Sequence, residues 1–98
     1  QYSVYCASKA AVLSFTRSWA REFAPNILVN SICPGPIDTD MLKAENMSPE
    51  WLAKESDIPL RRIGQPDEIS GLAVFLAGSG STFMTGQGIG VNGGSVMP

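Results

Sequence analysis

Histidine is absent from the sequence. That absence removes histidine-based hydrolytic triads and the commonest zinc sites together. Cysteine is scarce: Cys6 and Cys33 show neither CxxC nor metal-ligand spacing. No metal centre is therefore expected, and both cysteines, set among apolar neighbours, read as buried thiols of an intracellular protein. Basic charge is thin. Seven Lys+Arg face nine Asp+Glu, net −2, with no cluster, so nucleic-acid binding has no electrostatic support. Long hydrophobic runs are missing too. The stretch LAVFLAG at 72–78 is far short of what a bilayer requires, and no secretory leader is visible. The expectation is a cytoplasmic protein with neither a nucleic-acid nor a membrane partner. What remains, with 44% hydrophobic residues, is the composition of an ordinary globular domain.

The chain is richest in chemistry near its start, in YSVYCASKAA at 2–11. Tyr5 and Lys9 are four residues apart, which on a helix places them on one face with Cβ atoms about 5–6 Å apart. A free phenol loses its proton only near pH ~10. A cation about 4 Å away, at an effective dielectric near 20, favours the phenolate by roughly 4 kcal/mol. Such a pair brings a phenol toward the pH range where a general acid or base works best. The same spacing also arises by chance on exposed helices, so alone it does not establish catalysis.

Periodicity gives the organisation. Val12, Phe15, Trp19 and Phe23 form one apolar stripe on a helix expected over residues 4–23, stopped by Pro25. Ala7, Ser8, Ala10 and Ala11 keep its first half slim, leaving room for a close neighbour. Residues 27–33 read as a short strand buried on both faces, as in a parallel sheet. The Pro34–Asp40 loop follows at the strand's carboxyl end, where open α/β sheets bind ligands. There Gly35 permits close approach of a backbone and Thr39 offers a hydroxyl; a plain turn is the alternative. Residues 41–55 form a helical excursion whose apolar side includes Met41, Leu42, Met47 and Trp51, with Ser48 as cap and Pro49 at its first helical position. It is either a lid or a surface helix. A further helix starts at Pro66, with Asp67 and Glu68 in its first turn. It buries Ile69, Leu72, Ala73 and Leu76, and ends at Gly78. A second strand covers 88–91, followed by a turn at 92–94. The Gly86-x-Gly88-x-Gly90 run has no helix after it, so it reads as a closely packed strand rather than a phosphate loop.

Four segments, in order, resemble the C-terminal portion of the short-chain dehydrogenase/reductase family: Tyr5-x-x-x-Lys9; VNSICPGPIDT at 29–39; PLRRIGQPDEIS at 59–70; and TGQGIGVNGG at 85–94. The resemblance implies an α/β fold, a Rossmann-type doubly wound parallel sheet, of which residues 1–98 hold about two strands plus helices. The dinucleotide-binding half is expected upstream of this chain. It implies an NAD- or NADP-dependent oxidoreductase interconverting an alcohol and a carbonyl. Tyr5 would be the acid–base residue, and Lys9 would lower its proton affinity and hold the nicotinamide ribose. Pro34, Gly35, Ile37 and Thr39 would contact the nicotinamide end, Ile37 through its backbone. Met41, Leu42, Met47 and Trp51 would belong to a variable substrate lid. The family's glycine turn and its catalytic serine and asparagine all lie upstream of the tyrosine; Asn30, on a later strand, is not that asparagine. Asn92 stands where many relatives carry aspartate. A small-molecule substrate and a homodimer or homotetramer are implied, with the 4–23 helix at a subunit interface. With so little of its sheet, the 98-residue piece is expected neither to fold nor to turn over alone. The alternative is a non-catalytic binding or regulatory relative.

Overall fold

The computed structural model describes residues 2–39 and 44–97. In chain order these form helix α1 (Tyr2–Glu22), strand β1 (Ser31–Pro34), a 3-10 turn (Ala44–Asn46), helix α2 (Pro49–Glu55), helix α3 (Pro66–Ala77), a second 3-10 turn (Ser79–Ser81) and strand β2 (Gly88–Val91). The two strands pair with each other. Ser31 N–H donates to Gln87 O and, four residues further along each strand, Gly35 N–H donates to Val91 O, both at 2.9 Å. That register makes the pair parallel, with helices in the crossover between strands as a parallel connection requires.

The chain divides into two compact units. The first comprises Gln1–Ile32 and Phe75–Ile89. Here Ala20 is buried; a Cβ on Gly86 would lie 3.4 Å from its own Cβ, so α1 packs closely on the loop before β2. Asn30 ties that loop down from both sides, donating to Met84 O at 3.0 Å and accepting from Gln87 N–H at 3.1 Å. Ser81 is fully buried, and its hydroxyl donates to Leu76 O at 2.9 Å, stitching the second 3-10 turn to the end of α3.

The second unit comprises Cys33–Val74 and Gly90–Pro98. Ile63 is its buried apolar residue. The Asn92 carboxamide closes the turn after β2, accepting from Gly94 N–H at 2.9 Å and donating to Val96 O at 3.3 Å. Gly93 and Gly94 adopt φ of 61° and 90°, a region that disfavours side chains. Their absent Cβ atoms leave room for Ile58 and Pro59. Ser48 caps α2, its hydroxyl accepting from Trp51 N–H at 3.2 Å, with Pro49 at the first helical position.

Several sequence expectations need correction. The strand is shorter than 27–33, because Val29 and Asn30 bond to a loop instead of a strand. Val29 O accepts from Gly86 N–H at 2.7 Å and Val29 N–H donates to Thr85 Oγ1 at 3.1 Å. Its residues are half-buried or exposed, not buried on both faces. The α1 stripe is present but uncovered: Val12, Phe15, Trp19 and Phe23 are all exposed, and Phe15 stacks on Trp19 with ring centroids 5.0 Å apart. On α3, Ile69, Leu72 and Leu76 are half-buried and Ala73 is exposed. Cys6 is exposed and Cys33 half-buried, so neither is a core thiol. The common reason is that a two-stranded sheet covers little of any helix. Gly88 and Gly90 lie within β2, as the packed-strand reading requires.

Candidate active site

Tyr5 and Lys9 lie in the first three turns of α1. The helix forms because this stretch is rich in alanine and free of proline and glycine, the composition with least resistance to helical dihedrals. The i,i+4 spacing brings the two side chains together: Lys9 Nζ sits 5.4 Å from the centroid of the Tyr5 ring, within reach of its face. Tyr5 is 55% exposed, so its ring is open to an incoming molecule. Ser8 hydroxyl donates to Tyr5 O at 2.7 Å, turning that side chain back onto the helix, away from other chemistry.

The Pro34–Thr39 segment belongs to the second unit. Pro34 ends β1 and is exposed, as is Thr39. Gly35 is held by a close neighbour: a Cβ there would lie 2.7 Å from Asn92 Cα and 2.8 Å from Asn92 Cβ. Ile37 forms a parallel bridge with Gly64. Gly64 N–H donates to Pro36 O at 2.9 Å and Gly64 O accepts from Asp38 N–H at 2.8 Å. Both bonds flank Ile37, so its own N–H and C=O face away from Gly64, and no described residue takes a hydrogen bond from either or gives one to it. That is the donor–acceptor pair a primary amide needs.

A cleft of about 430 Å³ opens beside this segment, lined among others by Pro36, Ile37, Leu60, Arg62, Glu68 and Met97. Neither Arg62 nor Glu68 is among the site residues expected from the sequence, where Glu68 figures only in the first turn of α3. They pair through two bonds, Nη1 to Oε1 at 2.7 Å and Nη2 to Oε2 at 2.8 Å. Arg62's hydrogen bond, then the Gln65 backbone N–H, hold the Glu68 carboxyl down at about 2, and the Arg62 guanidinium is raised in return, chiefly by the same hydrogen bond. A glutamate three residues after the helix N-cap is the available sequence signal.

Of the residues expected in a lid, Met41 and Leu42 lie outside the described residues. Met47 is half-buried just before α2, and Trp51 is exposed on α2 with Lys54 Nζ 5.0 Å from its ring centroid. Among the described residues there is no group of three or more metal-binding side chains. No described helix is long and apolar enough to cross a membrane.

Known proteins resemble the chain along nearly its whole length. The sequence model of the family described as "Enoyl-(Acyl carrier protein) reductase" matches residues 1–96. The 3-oxoacyl-(acyl-carrier-protein) reductase FabG of Chlamydia trachomatis is 45% identical over 93 residues, covering 92% of this chain and 36% of the relative. A blue fluorescent protein from a metagenomic library, solved in complex with NADPH, superposes with a TM-score of 0.88 at 36% identity, covering 97% of this chain and 38% of that one. A 3-oxoacyl-(acyl-carrier-protein) reductase from Brucella melitensis with bound NAD superposes with a TM-score of 0.83 at 38% identity, covering 96% and 34%. The chain thus spans about a third of the length of these relatives. Its two parallel strands and helices take the place of the same elements in larger doubly wound α/β sheets.

Proposed function

We propose that this chain, which belongs to the short-chain dehydrogenase/reductase family, supplies the acid–base residues and nicotinamide-facing edge of an NAD(P)-dependent alcohol–carbonyl oxidoreductase. The observation that carries the proposal is the Tyr5–Lys9 pair: a half-exposed phenol with an ammonium 5.4 Å from its ring. Tyr5 Oη gives its proton to a carbonyl oxygen in reduction and takes it back in oxidation. Lys9 stabilises the phenolate left behind, by the Coulombic argument above, and its remaining donors suit ribose hydroxyls.

A nicotinamide, when bound, would carry the hydride to or from the substrate carbon. The residues present fit its carboxamide end. Ile37 presents one N–H and one C=O with no partner among described residues, which matches one amide. Pro34, Gly35 and Thr39 complete that edge. Met41, Leu42, Met47 and Trp51 are assigned to the substrate lid. The residues form the C-terminal part of one such domain; the small apolar core, Ala20 and Ile63 among described residues, supports this, since so little burial does not offset chain entropy. The uncovered stripe Val12, Phe15, Trp19 and Phe23 on α1 supports a subunit interface in a homo-oligomer.

The test is a reductase and dehydrogenase assay on the full-length protein with both nicotinamide cofactors. The names of the relatives make a 3-oxoacyl thioester the first substrate to try, followed by sugar, polyol and hydroxysteroid alcohols. Cofactor binding with turnover of any of these supports the reading. A folded full-length protein that binds neither cofactor overturns it and favours a non-catalytic relative.

A further inference from the structure

We propose that Arg62 and Glu68 form a positioning clamp: they fix the 62–65 arch so that Gly64 holds Ile37 with its peptide groups turned outward, toward a nicotinamide amide. The proposal rests on the cofactor reading above and adds residues that touch neither cofactor nor substrate.

The geometry is a closed circuit within the second unit. Arg62 forks onto both oxygens of Glu68, at 2.7 and 2.8 Å. A third contact to the carboxylate comes from the far end of the arch, where Gln65 N–H donates to Glu68 Oε1 at 3.0 Å. Arg62 Nη1 also reaches Ile63 O at 3.3 Å. One carboxylate therefore grips the chain on both sides of Gly64, and Ile63, 8% exposed, anchors the arch from below. Gly64 then spends both its peptide groups on the Pro36–Asp38 segment, at 2.9 and 2.8 Å. Space is tight as well, since a Cβ on Gly64 would lie 2.7 Å from Ile37 Cδ1. Any shift of the arch is passed to Ile37.

Magnitude argues that the pair is present for geometry. Its side chains are 52% and 39% exposed, and exposed ion pairs contribute little to stability. A bidentate fork, by contrast, fixes direction as well as distance. Lysine, a point charge on a flexible stem, does not reproduce it.

The experiment uses the full-length protein with Glu68→Gln, Arg62→Met and the milder Arg62→Lys. Three quantities are read: amide hydrogen exchange at Gly64 and Asp38, the Kd for reduced nicotinamide cofactor by its fluorescence, and the Kd for the matching ADP-ribose fragment, which lacks nicotinamide. The clamp predicts faster exchange at both amides. It predicts cofactor Kd raised about tenfold in Glu68→Gln and Arg62→Met, roughly 1.4 kcal/mol, with the ADP-ribose Kd changed by less than about twofold, and Arg62→Lys between. Unchanged exchange and unchanged cofactor Kd overturn it. Equal weakening of cofactor and ADP-ribose also overturns it, because that is loss of general structure. If Glu68→Gln and Arg62→Met do not fold, Arg62→Lys decides by the same criteria. A wild-type protein that binds no nicotinamide cofactor overturns the functional reading instead, and exchange at Gly64 and Asp38 then decides the clamp alone.

Discussion

Replacing Gly35 by alanine separates two reasons for a glycine at the end of β1. The Cβ would meet Asn92 at 2.7 Å from Cα, 2.8 Å from Cβ and 3.0 Å from the carbonyl oxygen. Carbon atoms rest about 3.5–4.0 Å apart, so the strand end and the turn must separate by roughly 1 Å. None of the three atoms is the loose end of a long side chain. Asn92 is also held in place, by its bond from Gly94 N–H at 2.9 Å and by Leu60 N–H donating to Gly93 O at 3.0 Å. Moving apart stretches the bond from Gly35 N–H to Val91 O, now 2.9 Å. Overpacking costs about 1–3 kcal/mol and a weakened hydrogen bond about 1 kcal/mol, so the loss is about 2–4 kcal/mol. A domain has only about 5–15 kcal/mol in all. Guanidinium unfolding of the full-length Gly35→Ala protein reads this as a lower midpoint at unchanged slope. A loss under about 0.5 kcal/mol with weakened cofactor binding would refute the packing argument and leave ligand approach as the reason for glycine.

Tyr5→Phe in the full-length protein is expected to lower kcat by about 10²–10⁴ with the circular dichroism spectrum unchanged; full activity would remove Tyr5 from the mechanism. Lys9→Met is expected to weaken cofactor binding and lower kcat together, read by titration and steady-state kinetics. Glu68, held at about 2 against an ordinary 4.5, contributes stability that is complete above its unfolded value and is lost as pH falls through about 2. Glu68→Gln should therefore flatten that acid limb by lowering the unfolding midpoint slightly at pH 6–8, with the two proteins converging as pH falls toward about 2. Asn92→Asp keeps the acceptor for Gly94 and loses only the 3.3 Å bond to Val96. The expected loss is about 0.5 kcal/mol, which explains how aspartate and asparagine can serve the same turn.

Local rules made much of this chain legible. The α1 helix, the Ser48 cap, the Pro66 start of α3 and the Asn92 turn all depend on neighbours within four residues, and each lies where the pattern puts it. The Tyr5–Lys9 contact is of the same kind, because helical geometry alone brings i and i+4 together. What tertiary structure decided involves partners far apart in sequence. Residues 29 and 30 are not strand because a loop more than fifty residues later takes their hydrogen bonds. Gly35 is glycine because Asn92 lies against it. Arg62 and Glu68 are only six residues apart, yet no regular helix or strand joins them, and they meet because the arch between them is bent. Burial was least legible: periodicity tells which face of a helix is apolar, but exposure is set by what covers that face, and a two-stranded sheet covers little of it.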